Sequence, residues 1–254
     1  MSKIRIERID SLESYIELID DIRIKEKVKN NKSDPIFRGQ RQDWKLLPKI
    51  ARLDVNGDLL KTESLIIKEF KRTSQPFIEY KLESDWDLIA LAQHHGLPTR
   101  LLDWSHSALT ALWFAVKDPP DKYKNGKYRD SVVWVFVPGV DDFNIDFNKY
   151  SPFSNRKTKI FRPSVIAKRI LAQSGLFTVH KFNNNKGVIQ LDNHAEYKDK
   201  LTKILITPHY FSNFRKSLHM LGVNYSIVFP DLDGLCKHLE WRFSKYEDER
   251  DDNS

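Results

Sequence analysis

Residues 93–105, Gln-His-His-Gly-Leu-Pro-Thr-Arg-Leu-Leu-Asp-Trp-Ser, set five polar side chains (Gln93, His94, His95, Arg100 and Asp103) between two helical patterns that are apolar on nearly every side. A helix apolar all round is a buried helix. Polar groups carried into such surroundings are costly unless each finds a partner. At this point the chain must build either an internal polar network or a site.

The first of the two helices opens with Ser84 as its cap and has Asp85 and Asp87 in its first turn, where carboxylates oppose the macrodipole favourably. Gly96 and Pro98 stop it. Trp86, Ile89, Ala90 and Gln93 share one face, and Leu88, Leu91, Ala92 and His95 another, so Gln93 and His95 are expected to point into protein or a cleft. Thr99 to Ser105 reads as extended. Asp103 then stands just before the second helix, Ala108 to Val116, which a serine among residues 105–107 caps.

Elsewhere, Leu12, Tyr15, Ile16, Leu18, Ile19 and Ile22 form an apolar stripe that predicts a helix over 11–27, and another is expected over Thr62 to Phe77. Ile36 to Gln40, Ser131 to Val137, Leu176 to His180, Lys203 to Thr207 and Asn224 to Phe229 read as strands. Helices follow over His209 to Leu221, ended by Gly222, and from Asp231 through Trp241. Phe229 to Gly234 then reads as a strand end followed by a helix start, a structural feature. The architecture expected is α+β, with a helical N-terminal half packed on a mixed, mainly antiparallel sheet. It divides into an N-terminal helix (1–29), one domain (30–243) and an acidic tail (244–254). Turn-rich Asn144 to Pro163 is the one place inside it where a boundary could fall.

At 254 residues, 40% of them hydrophobic, the chain can bury a sizeable core. No run is long and apolar enough for a membrane span, and Met1 to Ile9 is too charged for a secretory leader. Cytoplasmic placement, with no membrane partner, is the expectation. The single cysteine, Cys236, excludes an internal disulfide and a thiolate zinc cluster, and is expected to pack within the last helix. The formal charge is +7, although residues 247–252 carry −4. A body this basic favours anionic partners, whether a small anionic ligand, a nucleotide or nucleic acid. Its lysines are scattered, which solubility alone would explain. The acidic end reads as a solvated, frayed terminus.

Each candidate residue has a chemical and a structural reading. Arg38, on the short strand, either grips a phosphate or carboxylate bidentately or pairs with Asp103 or the Asp85 and Asp87 pair. Gly39 admits a close backbone or ligand. His94 and His95 point about 100° apart on a helix and cannot readily chelate one ion, so no metal site is expected. His95 serves either as a general acid or base or as a helix C-cap. Asp103 orients a ligand hydroxyl or an arginine, or it caps the next helix. Gln173 is polar in apolar surroundings. No phosphate loop, dinucleotide fingerprint or nucleophile elbow is present.

Phe37-Arg38-Gly39-Gln40 with Trp44, Leu46 and Pro48, then Ala92 through Ser105, resembles the FRG domain, which is named for its Phe-Arg-Gly triplet. Arg169, Gln173, Gly175 and Phe177, and the block Phe229 to Gly234, fit the same pattern, so the resemblance runs over about residues 30–240. At second order, aromatic-Arg-Gly on an early strand is similar to the first motif of arginine-type ADP-ribosyltransferases. Ser105-His106-Ser107, with Ala111, Phe114 and Ala115 behind it, is similar to their Ser-Thr-Ser motif and helix. That likeness implies an ADP-ribosyltransferase-like fold and NAD as cofactor. Arg38, Gly39, Gln40, Gln93, His94, Arg100 and Ser105 would hold it, and Arg38, His95, Asp103 and Gln173 would carry the chemistry. The departure is the late-strand glutamate of those enzymes, since Leu176 to His180 contains none. The implied protein is an NAD- or nucleotide-using toxin or phage-defence effector. A non-catalytic binding module and a nucleic-acid-processing protein are the alternatives.

Overall fold

A computed structural model of the chain describes residues 3–28, 33–55, 57–78, 82–143, 145–147, 149–154, 157–163, 172–183 and 187–249. Ser-Val-Val-Trp-Val-Phe at 131–136 has no polar face, and it forms an inner strand buried at every position (β4, Ser131–Phe136). On one side lies β9 (Leu201–Ile206), antiparallel, which pairs in parallel with the edge strand β1 (Arg5–Ile9). On the other side the order continues β2 (Ile36–Gln40), β3 (Leu101–Ser105), β6 (Gly175–Val179) and β5 (Lys159–Phe161), all antiparallel. A two-stranded ribbon of Phe182–Asn183 (β7) and Gly187–Val188 (β8) stands apart.

Eight α-helices occur among the described residues: α1 (Leu12–Val28), α2 (Leu59–Thr73), α3 (Asp85–His94), α4 (Ala108–Val116), α5 (Ala195–Lys198), α6 (Phe211–Met220), α7 (Tyr225–Val228) and α8 (Leu232–Phe243). Strand alternation sorts the core into two sides of the sheet. Val133, Val135 and Phe37 meet α1, α4 and α6 through Tyr15, Leu112, Phe211 and Phe214, while Leu101, Phe177 and Val179 meet α2 and α3 through Ile67, Leu88 and Ile89. The opposite side, with Trp104, Val132, Trp134 and Leu176, is covered by Leu46, Leu191 and Tyr197. The α+β expectation with a mainly antiparallel mixed sheet holds.

Several elements differ from the sequence reading. Asn224 to Phe229 is not a strand but the short helix α7. The Asn224 side chain accepts from Ser226 N and Ile227 N, a cap that turns a short apolar run into a helix. Gly234 then packs against the Phe229 carbonyl, where a β-carbon would lie 1.9 Å away. Helix α2 starts earlier than expected because Asp58 caps it, and it ends at Thr73 before a 3-10 turn over Gln75–Phe77. Strand β1 was hidden by its charges, which sit on a sheet edge. Arg8 reaches Asp130 at 2.7 Å.

The acidic end is not frayed where it is described. Glu249 is buried, and with Asp248 it holds the buried Arg215 guanidinium at 2.9 and 2.7 Å. Cys236 is exposed rather than packed, because the buried residues of α8 are Gly234 and His238. Residues 144–163 contribute β5, whose Ile160 and Phe161 are core residues. Arg169 lies outside the described residues.

Candidate functional site

Helix α3 ends as its sequence demands. His95 is the C-cap, and Gly96 takes φ +80°, a left-handed conformation open to glycine at no steric cost. Gly96 N donates to Gln93 O and Leu97 N to Ala92 O, the paired bonds of a Schellman turn. Lys49 Nζ donates to the Gly96 carbonyl at 2.8 Å. The turn swings His95 out of the helix face, so it is exposed at the rim rather than inward-pointing as expected. His94 is half-buried beside it, the two rings edge-on at 4.9 Å.

The neighbouring strands supply the floor. β2 pairs with β4 over five residues, and β3 with β6 over five, but β2 and β3 pair only at Phe37 and Ser105. The ladder between them stops there, and a side chain takes over. Arg38 Nη1 donates to the Asp103 main-chain carbonyl at 2.8 Å, an acceptor that a longer ladder would have filled. The same nitrogen lies 3.5 Å from Asp103 Oδ2. The Arg38 side chain is 19% exposed, and its buried Nε has no hydrogen-bond partner among the described residues. Burial pushes this guanidinium below its ordinary range. Asp103 opposes that shift, and the charge of Arg52 adds to it.

Above Arg38, three side chains form a chain of bonds. Leu101 N donates to Thr99 Oγ1 at 3.1 Å, Thr99 Oγ1 donates to Gln93 Oε1 at 2.6 Å, and Gln93 Nε2 donates to Asp103 Oδ2 at 2.9 Å. Gln93 therefore points inward as expected. Ser105 Oγ donates to the Gln173 carbonyl and accepts from Ser107 N, while Gln173 Nε2 donates to the Val228 carbonyl. Ser107, not Ser105 or Asp103, caps α4.

Two expected ligand residues lie elsewhere. Arg100 is fully buried behind the cleft, where it pairs with Glu63 of α2. Its Nε is 3.0 Å from both carboxylate oxygens, its Nη1 reaches the carbonyls of Pro152 and Phe153, and its guanidinium stands over the ring of Phe182. Gln40 is buried on the far side of the sheet and accepts from Trp134 Nε1 at 3.1 Å. Gly39 borders the cleft, but its missing side chain makes room for α4. A β-carbon there would lie 1.8 Å from the Ala111 carbonyl oxygen.

What results is a cleft of about 660 Å³ between the end of α3 and the face of α4. Arg38, Gln93, His94, His95, Asp103, Ser105 and Gln173 all line it, joined by Phe37, Trp104, Phe114 and Phe177. Phe37 and Phe177 share this face of the sheet with Phe114 of α4, a grouping that no single strand's alternation reveals, whereas the Trp104 ring packs on the opposite side. Thr99, at the start of the segment read as extended, is not among the expected site residues. Its signal was a hydroxyl just before a buried strand. Among the described residues no three His, Cys, Asp or Glu side chains gather as a metal site would require. No described helix is long and apolar enough to cross a membrane.

These features define an α+β protein whose helical layer parts over an interrupted strand pair, leaving an arginine-floored polar cleft. The family model of the FRG domain matches residues 33–124 of the chain. The match takes in β2, α3, β3 and α4, and so most of the cleft, while Gln173, Phe177 and Asp231 lie beyond it. No curated protein and no solved structure matches the chain.

Proposed function

We propose that the cleft binds a phosphate-bearing nucleotide with Arg38 as its anion receptor, NAD being the nucleotide that the resemblance to ADP-ribosyltransferases names. The observation that carries this is the state of Arg38. A largely desolvated guanidinium keeps one buried N–H without an acceptor, while its carboxylate neighbour stands 3.5 Å away. Buried charges are expensive unless paired and hydrogen-bonded, and a phosphate in the cleft would add a full negative charge against the part of this guanidinium that remains exposed. The volume is that of a small-ligand pocket, and the half-buried Phe114 offers aromatic surface to a base.

NAD, when bound, supplies a glycosidic bond with a good leaving group. The chain's own part would be to hold the phosphates at Arg38 and to present a carboxylate. Of the two lining carboxylates, Asp231 caps α8 by accepting from Gly234 N, which leaves Asp103 in the place the late-strand glutamate would occupy functionally. ADP-ribosyl transfer in a toxin or phage-defence effector is the activity this reading leads to. A second reading has its own support. Gln93 and the Asp103 carbonyl are both satisfied internally, as a bracing network would be.

Calorimetric titration of NAD and ADP-ribose into the full chain separates them. Arg38→Ala is expected to weaken binding roughly 10- to 100-fold, the worth of a charge-assisted hydrogen bond. Nicotinamide release with protein, DNA and RNA acceptors is measured in parallel. No binding by wild type, with a lowered melting temperature in Arg38→Ala, would leave the brace as the only role.

A further inference from the structure

The bonds around Asp103 have a direction. At their head is the Leu101 backbone N–H, which can only donate, so the buried Thr99 hydroxyl receives there and turns its own hydrogen to Gln93 Oε1. That assigns the Gln93 amide: its oxygen faces Thr99, and its NH2 faces Asp103 Oδ2. The reverse orientation would set an amide oxygen against a carboxylate oxygen. Arg38 Nη1 approaches the same Oδ2. Both neighbours converge on one oxygen. The other, Oδ1, has no hydrogen-bond partner among the described residues, on a side chain that lines the cleft and is 55% exposed. An exposed carboxylate left alone samples several rotamers; this one is held by one oxygen and presents the second.

We propose that Thr99 and Gln93 are positioning residues that hold Asp103 Oδ1 toward the cleft as a hydrogen-bond acceptor, so that the ligand is a sugar phosphate, with hydroxyl donors beside its anionic group. The proposal rests on Arg38 as anion receptor and adds the second half of the recognition. A ligand carrying only anionic oxygens satisfies Arg38 but meets Oδ1 as a like charge. A pentose phosphate places hydroxyl hydrogens where Oδ1 accepts them. Selectivity then comes from the pairing of a desolvated cation with a held acceptor.

Two phosphate monoesters differing in their hydroxyls test this: ribose 5-phosphate and methyl phosphate, titrated into the 15N-labelled full chain and followed by amide chemical shifts, which also report folding. Wild type is expected to bind ribose 5-phosphate about tenfold or more tightly than methyl phosphate, the discrimination of one to two hydrogen bonds to a charged acceptor. Asp103→Asn and Gln93→Met are expected to reduce that ratio to about twofold, Asp103→Asn in part by tightening methyl phosphate as the like charge is lost, and Gln93→Met by weakening ribose 5-phosphate as Oδ1 is no longer held. Thr99→Val keeps the shape of the relay and serves if Gln93→Met does not fold. Equal binding of the two esters by wild type, or variants that weaken both alike, overturns the proposal and leaves the anion reading standing. Failure of wild type to bind either ester overturns both.

Discussion

At Gly39 a β-carbon would lie 1.8 Å from the Ala111 carbonyl oxygen and 2.8 Å from Ala115 N. The obstacle is helix backbone, which cannot move aside as the end of a flexible side chain can. Gly39→Ala is therefore expected to destabilise the fold by about 3 kcal/mol, at the upper end of overpacking costs, read as a shift in the urea midpoint at constant m-value. The glycine of the Phe-Arg-Gly triplet is thus a packing residue beside a chemical one. A sequence shows that a close approach occurs there, but not whether backbone or ligand makes it. Arg38 and Asp103 were each legible as needing a partner, a lone arginine on a strand and a carboxylate before a buried helix, but the sequence left Asp85 and Asp87 as rival partners for Arg38. Arg100 was not. Its pattern is as polar as that of Asp103, and its partner Glu63 lies on a helix whose start was misplaced.

Arg100 and Glu63 join α2 to β3, with Arg100 N also donating to Glu63 Oε1. Both side chains are shielded from water, so removing one charge leaves the other uncompensated. Glu63→Gln is expected to cost about 3 to 5 kcal/mol, whereas replacing both together (Glu63→Leu with Arg100→Met) recovers most of the loss. Thermal unfolding of the three proteins decides; a single variant as stable as wild type would show that the pair does not pin the helix. Elements with strong internal signals were placed closely: β2, α3 with its Ser84 cap, and α4. The failures have two causes. In α7, a cap won over an apolar run that strands and helices share. In β1, an edge position tolerated charges that an inner strand would not.

Across the whole molecule, stability is expected to fall with acid because of buried neutral imidazoles. His180 Nδ1 donates to the Ile189 carbonyl, and its Nε2 accepts from Thr178, whose hydroxyl in turn accepts from Trp104 Nε1. Burial lowers its pKa from 6.5 to about 4, with the Ile189 hydrogen bond opposing the shift and the charge of Arg38 adding to it. Burial moves His106 and His238 the same way. Below pH 6.5 the unfolded chain takes up a proton that the folded chain refuses. The contribution is complete above 6.5 and is lost as pH falls toward 4, by up to roughly 3 kcal/mol for His180. Urea unfolding at a series of pH values should show this decline, and His180→Gln should flatten it. An unchanged slope in the variant would assign the acid sensitivity elsewhere.

By itself the sequence determined which segments were buried, where α3 and α4 begin and end, and that residues 93–105 concentrate polar groups between them. Those are properties of local periodicity, caps and the cost of burying polar atoms, and they act over a few residues. Only the tertiary structure decided which polar groups meet. Sheet order brought β2 beside β3, the interrupted ladder between them let Arg38 reach Asp103, and α2 drew Arg100 away from the cleft. Pairing across strands depends on register and on long-range packing, and a linear pattern carries no record of either.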